Sequence, residues 1–126
     1  MQTTSETDEI KVSSTYGSVI AFQIGAYESL DNATDISKVY DGTVVKQDNV
    51  YLVYVAVLSN TKNIERMMNI LDENNIYYYT KVIDIDTKLN EELRKYEELM
   101  LKTTSDVAFK KLVYQYIKLY GETHEF

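Results

Sequence analysis

The residues that could perform chemistry are few, and their types and spacing argue against catalysis. The chain has a single histidine, His124, near its C-terminus, so neither a histidine-based triad nor a histidine metal cluster is available. Cysteine is absent, which removes thiol nucleophiles and thiolate metal sites. The four glycines form no phosphate-binding loop. We therefore predict that the chain is not an enzyme and that it uses no metal ion or other cofactor.

Carboxylates occur in two groups in the second half of the chain. Asp84 and Asp86 lie two positions apart, so on a strand they would share one side and could bind a cation. We favour a solvated strand end in which Asp86 also caps the next helix. The second group is interpreted as a solvated helix face rather than as catalytic acids, and consists of Glu91, Glu92, Glu97 and Glu98.

Composition is that of one globular domain, with 126 residues, 44% hydrophobic and 26% charged. The net charge of −7 and the lack of a basic stripe argue against binding to nucleic acid. No apolar run is long enough to cross a membrane, and residues 1–9 are too polar for a signal peptide. We expect a soluble chain, with membrane attachment only through an anchor that it does not contain.

Apolar periodicity predicts the element order βαββαβ after a flexible lead-in at residues 1–15. The two most apolar runs fall in the first and third strands, and an internal echo relates Phe22–Tyr27 to Val53–Leu58. This pattern predicts an α+β, ferredoxin-like sheet of four strands, antiparallel in type, with two helices on one face. The predicted elements are Val19–Ala26, Leu30–Asp41, Thr43–Gln47, Val50–Leu58, a helix capped by Ser59, Asn60 or Thr61, and Ile76–Ile85.

Residues 86–126 are predicted to form a C-terminal helical hairpin. Asp86 or Thr87 caps its first helix, Ser105 caps the second, and Gly121 ends it. The second helix has a broad apolar face over Phe109–Tyr120. We expect this face to dock on the domain, on a second copy or on a protein partner rather than on a membrane, because a strongly basic polar face is lacking.

The sheet face opposite the first two helices is the predicted ligand surface. Alternation directs Gln23 and Gly25 outward if the larger apolar set (Ile20, Phe22 and Ile24) faces the helices. Leu52, Tyr54 and Ala56 should join them from the third strand, with Tyr78 or a neighbour from the fourth. Tyrosine rings stack on sugars and an amide exchanges hydrogen bonds with them, so this surface suits a neutral ligand.

The first strand also resembles a known family. The sequence Phe22–Tyr27, FQIGAY, followed by Ser29, Asn32 and Ala33, is similar to the opening of the SPOR (sporulation-related repeat) domain, which reads roughly V-Q-V-G-A/S-F before a helix carrying N-A. The resemblance covers residues 16–85. One departure is the end of the third strand, where the family usually has V-G-P-F and this chain has Val55–Leu58, VAVL.

The resemblance implies a noncatalytic module that binds peptidoglycan, namely glycan strands stripped of stem peptides. It implies an extracytoplasmic location at the bacterial cell wall, at division or sporulation septa, and a glycan contact at Gln23. Strand geometry adds Tyr54 and Tyr78 to the predicted glycan-binding residues.

Two alternatives stay open. A protein-interaction or assembly domain could keep the fold without the sugar site, and the altered third strand and the extra hairpin favour it. If the helix over Phe109–Tyr120 packs across the sheet, Gln23 is covered and binding of glycan there is disfavoured. A cytoplasmic regulatory domain that binds a small molecule is the weaker alternative.

Overall fold

The computed structural model describes residues 17–124. The predicted lead-in at residues 1–15 lies outside the described residues. The elements are β1 (Gly17–Tyr27), α1 (Leu30–Val39), β2 (Thr43–Gln47), β3 (Val50–Leu58), α2 (Thr61–Glu73), β4 (Tyr79–Ile85), α3 (Thr87–Lys102) and α4 (Asp106–Glu122).

The four strands form one sheet in the order β2-β3-β1-β4, and each neighbouring pair is antiparallel. The predicted α+β, ferredoxin-like fold with a C-terminal helical hairpin is confirmed. The central positions of β1 and β3 agree with their apolar sequences, because a central strand has neighbours on both edges. From Leu52 to Leu58 every residue of β3 is buried.

Helix starts follow local side-chain chemistry. The side chain of the residue before each helix accepts hydrogen bonds from backbone N–H groups of the first turn, and these residues are Ser29, Asn60, Asp86 and Ser105. At the other end, Asp41 after α1 and Asn75 after α2 have left-handed φ angles of 56° and 57°. Aspartate and asparagine tolerate this region better than most residues, which allows the chain to turn away.

The last strand of the sheet begins later than predicted. Helix α2 is closed by a backbone bond of 3.0 Å from the Ile76 amide to the Leu71 carbonyl, so Ile76 still belongs to the helix end. Pairing of β4 with β1 starts only at Tyr79. The predicted start at Ile76 was therefore wrong, because helix termination uses that backbone group.

Irregular pairing between β1 and β3 splits one predicted group of residues. Phe22 pairs with Ala56 and Gln23 pairs with Tyr54, so Val55 is skipped in β3. Tyr54 and Ala56 therefore lie in different core clusters, and the prediction that they share a face was wrong. The prediction assumed that side chains alternate strictly between the two faces along β3, and local sequence gives no sign of this shift in strand pairing.

Both faces of the sheet are covered. The inner face is defined as the side of the sheet that carries Phe22, Ala56 and Leu58. It packs against α2. On the outer face, defined as the side that carries Gln23, strand residues pack against the hairpin through Leu89, Leu93, Tyr116, Ile117 and Tyr120. Helix α4 reaches both clusters, because Phe109 and Val113 near its start belong to the inner one.

The amount of apolar surface shows that the hairpin is an integral layer and not a removable lid. Leu93, Phe109, Tyr116 and Ile117 are all 0% exposed. Full burial of one such side chain contributes about 1.5–3 kcal/mol, so these four contribute roughly 6–12 kcal/mol. Such a sum is of the order of the whole stability of a small domain.

Glu97 is buried, which corrects the prediction that it lies on a solvated helix face. It is 5% exposed and lies at the N-terminus of α2. Its carboxylate accepts hydrogen bonds from the backbone N–H groups of Ser59 (3.1 Å) and Asn60 (2.9 Å) and from the Ser59 hydroxyl. The Asn63 amide donates to its backbone carbonyl at 3.3 Å. A negative charge at a helix N-terminus is favoured by the helix dipole, so α3 supplies an anchor for α2.

The end of α4 also differs from prediction. Gly121 lies inside the helix and is buried, and a Cβ there would overlap the Thr43 hydroxyl. Glycine is thus required by the close approach of α4 to β2 and not by helix termination.

Replacement of Glu97 tests whether this anchor stabilises the fold. Glu97→Ala removes a buried carboxylate and leaves two partly buried N–H groups without their acceptor, so we expect the free energy of unfolding to fall by about 3 kcal/mol. Glu97→Gln keeps the shape but loses the charge and should cost roughly 1–2 kcal/mol. The control is Glu98→Ala, at an exposed neighbour, with a change within about 0.5 kcal/mol. Equal unfolding midpoints in urea for Glu97→Ala and Glu98→Ala would show that the anchor is not needed.

Candidate functional site

The predicted residues Gln23 and Tyr54 are brought together but are buried. They pair across β1 and β3, and their exposed fractions are 1% and 2%. The expectation that Gln23 faces an open side of the sheet was wrong, because the hairpin and neighbouring strand side chains cover this face. Neither side chain is available to a ligand in this arrangement.

Two side chains lie against the Tyr54 ring. The Tyr120 ring from α4 lies 6.1 Å away between centroids, and the Lys81 ammonium lies 5.3 Å from the Tyr54 centroid. Lys81 also donates a hydrogen bond of 3.3 Å to the Gln47 side-chain oxygen. Lys81 therefore extends from β4 across β1 and β3 towards β2 and forms part of the cover.

Gln23 uses its amide to hold an exposed tyrosine. Its Nε2 donates to the Tyr79 hydroxyl at 2.6 Å and to the Gly25 carbonyl at 3.3 Å. The Tyr79 ring is 57% exposed, so a buried glutamine orients a ring at the surface. The Gln23 Oε1 atom has no hydrogen-bond partner among the described residues.

Gly25 has a corresponding role for another tyrosine. A Cβ at this position would lie 2.7 Å from Cε2 and from the hydroxyl of Tyr27. Absence of a side chain at Gly25 therefore lets the Tyr27 ring lie against the strand. The glutamine and the glycine in the apolar first strand are thus both explained by tyrosine rings that they position.

Tyr78 lies on the opposite side from the one predicted. Its ring packs against Phe22 at a centroid distance of 5.6 Å, in the inner cluster with α2. Tyr79 pairs with Gln23, so alternation gives Tyr79 the outer position. Three identical residues in a row give no alternation that would show which of them faces which side of the sheet. The pairing of β4 with β1 decides it, because Tyr79 lies opposite Gln23. Lys81 and Gln47 were missed because only the sheet brings them together.

We name the exposed layer above Gln23 and Tyr54 the outer strip, and it consists of Tyr79, Lys81 and Gln47. Gln47 is exposed and Lys81 is half-buried. The layer offers an aromatic ring, an ammonium group and a side-chain amide at one end of the sheet. These groups can bind a ligand that carries rings, hydroxyls and isolated negative charges.

A second concave surface lies between the end of α2 and the start of β4. Its volume is about 510 Å³, and it is lined by Met68, Asp72, Ile76, Tyr77, Tyr78, Tyr79 and Thr80. We name it the tyrosine groove. Burial and then the Asp72 carboxylate raise the pKa of Tyr78, so its hydroxyl stays protonated to a higher pH than that of a free tyrosine.

The predicted chemical groups outside these surfaces have structural contacts. The Asp84 carboxylate accepts a hydrogen bond of 3.2 Å from the Ser18 hydroxyl, and Asp86 caps α3. The His124 ring stacks on Tyr120 at 4.1 Å. Across residues 17–124, no three acidic or histidine side chains are grouped so that they could hold a metal ion. None of the helices in this range is both long and apolar enough to cross a bilayer.

Comparisons with known proteins give one structural likeness. No protein-family model matches the chain, and no curated protein matches it. A solved structure, the peptidoglycan binding domain of the B. subtilis cell wall lytic enzyme CwlC, aligns with a TM-score of 0.43 and 19% identity, over 62% of this chain and 99% of that one. Membership of the SPOR family therefore stays a prediction from the residues of the first strand.

The tyrosines of α4 generate a prediction for alkaline pH. Burial, followed by the neighbouring Tyr54, raises the pKa of Tyr120 to about 12, and burial also raises the pKa of Tyr116. An unfolded tyrosine ionises near pH 10, so the contribution of these buried tyrosines to the free energy of unfolding is fully present below that pH. Between about pH 10 and 12 the unfolded state loses protons that the folded state keeps, and the free energy of unfolding should decrease.

Phenolate absorbance during an alkaline titration measures this effect. We expect a late component above pH 10 in the native protein that is reduced in Tyr120→Phe and is retained in the control Tyr40→Phe, whose ring is 42% exposed. Titration of all tyrosines in a single step near pH 10, with the protein still folded, would contradict the burial of α4 against the sheet.

Proposed function

We propose that the chain is a noncatalytic peptidoglycan-binding module of a cell-division or sporulation protein. In this proposal the glycan strand lies on the outer strip, above Gln23 and not in contact with it. The observation that carries the proposal is the 2.6 Å hydrogen bond from Gln23 to Tyr79. It joins the buried glutamine of the SPOR-like motif to an exposed ring at the surface.

The outer strip has chemistry that suits a glycan strand from which stem peptides have been removed. The Tyr79 ring can stack on the apolar side of a sugar ring, and the Gln47 amide can exchange hydrogen bonds with hydroxyl and acetamido groups. Removal of a stem peptide leaves a lactyl carboxylate on every second sugar. The Lys81 ammonium can pair with such a carboxylate after releasing Gln47.

Charge separates this ligand from other polyanions. The net charge of −7 disfavours a nucleic acid, whose phosphates are closely spaced along the whole polymer. A glycan with one carboxylate per disaccharide places far less negative charge near the surface, so one lysine suffices. The proposal places the module outside the cytoplasmic membrane, at the cell wall, where this ligand occurs.

The covered outer face favours a second candidate function, an interaction or assembly domain without a sugar site. Gln23 is 1% exposed, and apolar side chains on either side of the turn between α3 and α4 are exposed. These are Leu99 (51%), Leu101 (46%) and Val107 (64%). In this case the C-terminal helices would bind a second copy or another protein through that turn.

Co-sedimentation with amidase-treated sacculi tests the first candidate against the second. We expect the wild-type chain to bind, and Tyr79→Ala to weaken binding roughly fivefold to tenfold, as for loss of an aromatic contact worth about 1–1.4 kcal/mol. Lys81→Met should weaken binding and reduce its dependence on salt. Tyr40→Ala, at an exposed ring on the C-terminal end of α1, serves as the matched control and should bind like the wild type.

Absence of wild-type binding above background would contradict the peptidoglycan proposal and leave the assembly domain as the candidate. Binding of Tyr79→Ala equal to that of the wild type would show that the glycan does not lie on the outer strip.

A further inference from the structure

We propose that the tyrosine groove between α2 and β4 is a second sugar subsite, specific for an uncharged N-acetylated hexopyranose. The inference rests on the proposed function, and it assigns the uncharged sugars of the glycan strand to a different surface from the acid-bearing ones. Tyr79 lines the groove and belongs to the outer strip, so the two surfaces are continuous.

The groove has the size of a ligand site. Its volume of about 510 Å³ lies within the range of roughly 300–1,000 Å³ that is usual for small-molecule sites. A neighbouring hollow of about 370 Å³ shares Asp72, Ile76 and Tyr77 with it and adds Asn75. A chain of several sugars therefore has room to continue past the first ring.

The three consecutive tyrosines, Tyr77–Tyr79, differ in how far other side chains hold them in place. Phe22 backs the Tyr78 ring, and Gln23 holds the Tyr79 hydroxyl. Tyr77 is 95% exposed, so packing within the described residues does not explain a large aromatic side chain there. Tyr77 and Tyr78 both line the groove, so the accessible Tyr77 ring next to the supported Tyr78 ring offers an apolar surface on which the flat side of a sugar can lie.

The charge of the groove selects the kind of sugar. Asp72 is its acidic residue, and none of its lining residues is a cation. A carboxylate accepts hydrogen bonds from sugar hydroxyls but repels a lactyl carboxylate or a phosphate. The Tyr78 and Thr80 hydroxyls supply further donors and acceptors for an acetamido group. The outer strip with Lys81 has the opposite preference, which matches the alternation of acid-bearing and uncharged sugars in the proposed ligand.

An NMR titration of the full chain with an uncharged N-acetylglucosamine oligomer tests this subsite. The oligomer has no lactyl carboxylate, so it probes the groove independently of Lys81. We expect saturable amide shifts at residues 75–80, and a reduction in affinity of at least about fivefold in Tyr77→Ala. Tyr77→Phe should retain binding because it keeps the ring. Asp72→Ala should weaken binding, while Tyr40→Ala should leave it unchanged.

Substitution of Tyr77 is expected to preserve the fold because its side chain is almost fully exposed. Absence of shifts at residues 75–80, or equal affinity of Tyr77→Ala and the wild type, would overturn the subsite. If wild type and Tyr77→Ala bind sacculi equally, the groove is not a subsite although the module still binds peptidoglycan. Failure of the wild type to bind sacculi overturns the proposed function instead. Shifts caused by an unacetylated glucose oligomer of the same length would overturn the preference for N-acetylated sugars.

Discussion

The Glu97 carboxylate joins the two halves of the molecule, and the position of the hairpin depends on it. Bonds to Ser59 and Asn60 fix α3 at the junction of β3 and α2, where a buried negative charge faces a helix N-terminus. Helix α4 then follows from the turn beside α2, where the Arg66 guanidinium donates to the Thr103 carbonyl at 2.8 Å. This path leads Tyr116 and Tyr120 across the outer face. Tyr120 lies against Tyr54, the neighbour of Gln23 in the sheet, so the burial of Tyr54 follows from how the hairpin is anchored.

A covered outer face changes what the SPOR-like strand does in this chain. Gln23 and Gly25 offer no contact surface for a ligand, and each instead sets the position of a tyrosine: Gln23 that of Tyr79, and Gly25 that of Tyr27. The accessible chemical groups lie instead in the outer strip and the tyrosine groove at the β4 edge. The groove has a volume of about 510 Å³, and the exposed tyrosines there are Tyr77 and Tyr79. In the proposed complex the ligand therefore does not contact Gln23 of β1 directly. It contacts the Tyr79 side chain, which Gln23 holds in place.

Sequence patterns predicted what depends on neighbours along the chain. Helix caps such as Ser105, the two-helix pattern after β4 and the central strands were confirmed, since capping and periodicity are local. Glu97 was misplaced although its spacing contained the signal: it falls on the buried stripe of α3 with Leu93 and Met100, and charge alone argued for solvent. The skipped Val55 and the phase of Tyr78 depend on pairing between distant strands, which no local period reveals.

The central claim is that α4 remains over the outer face while the ligand binds beside it. The most direct measurement is the nuclear Overhauser contact between the Tyr54 and Tyr120 rings, whose centroids are 6.1 Å apart, in the free chain and with saturating denuded glycan fragments. We expect cross-peaks between these rings in both states. Their absence in the free chain, or their loss on addition of glycan, would show that the hairpin leaves the sheet and that Tyr54 becomes accessible.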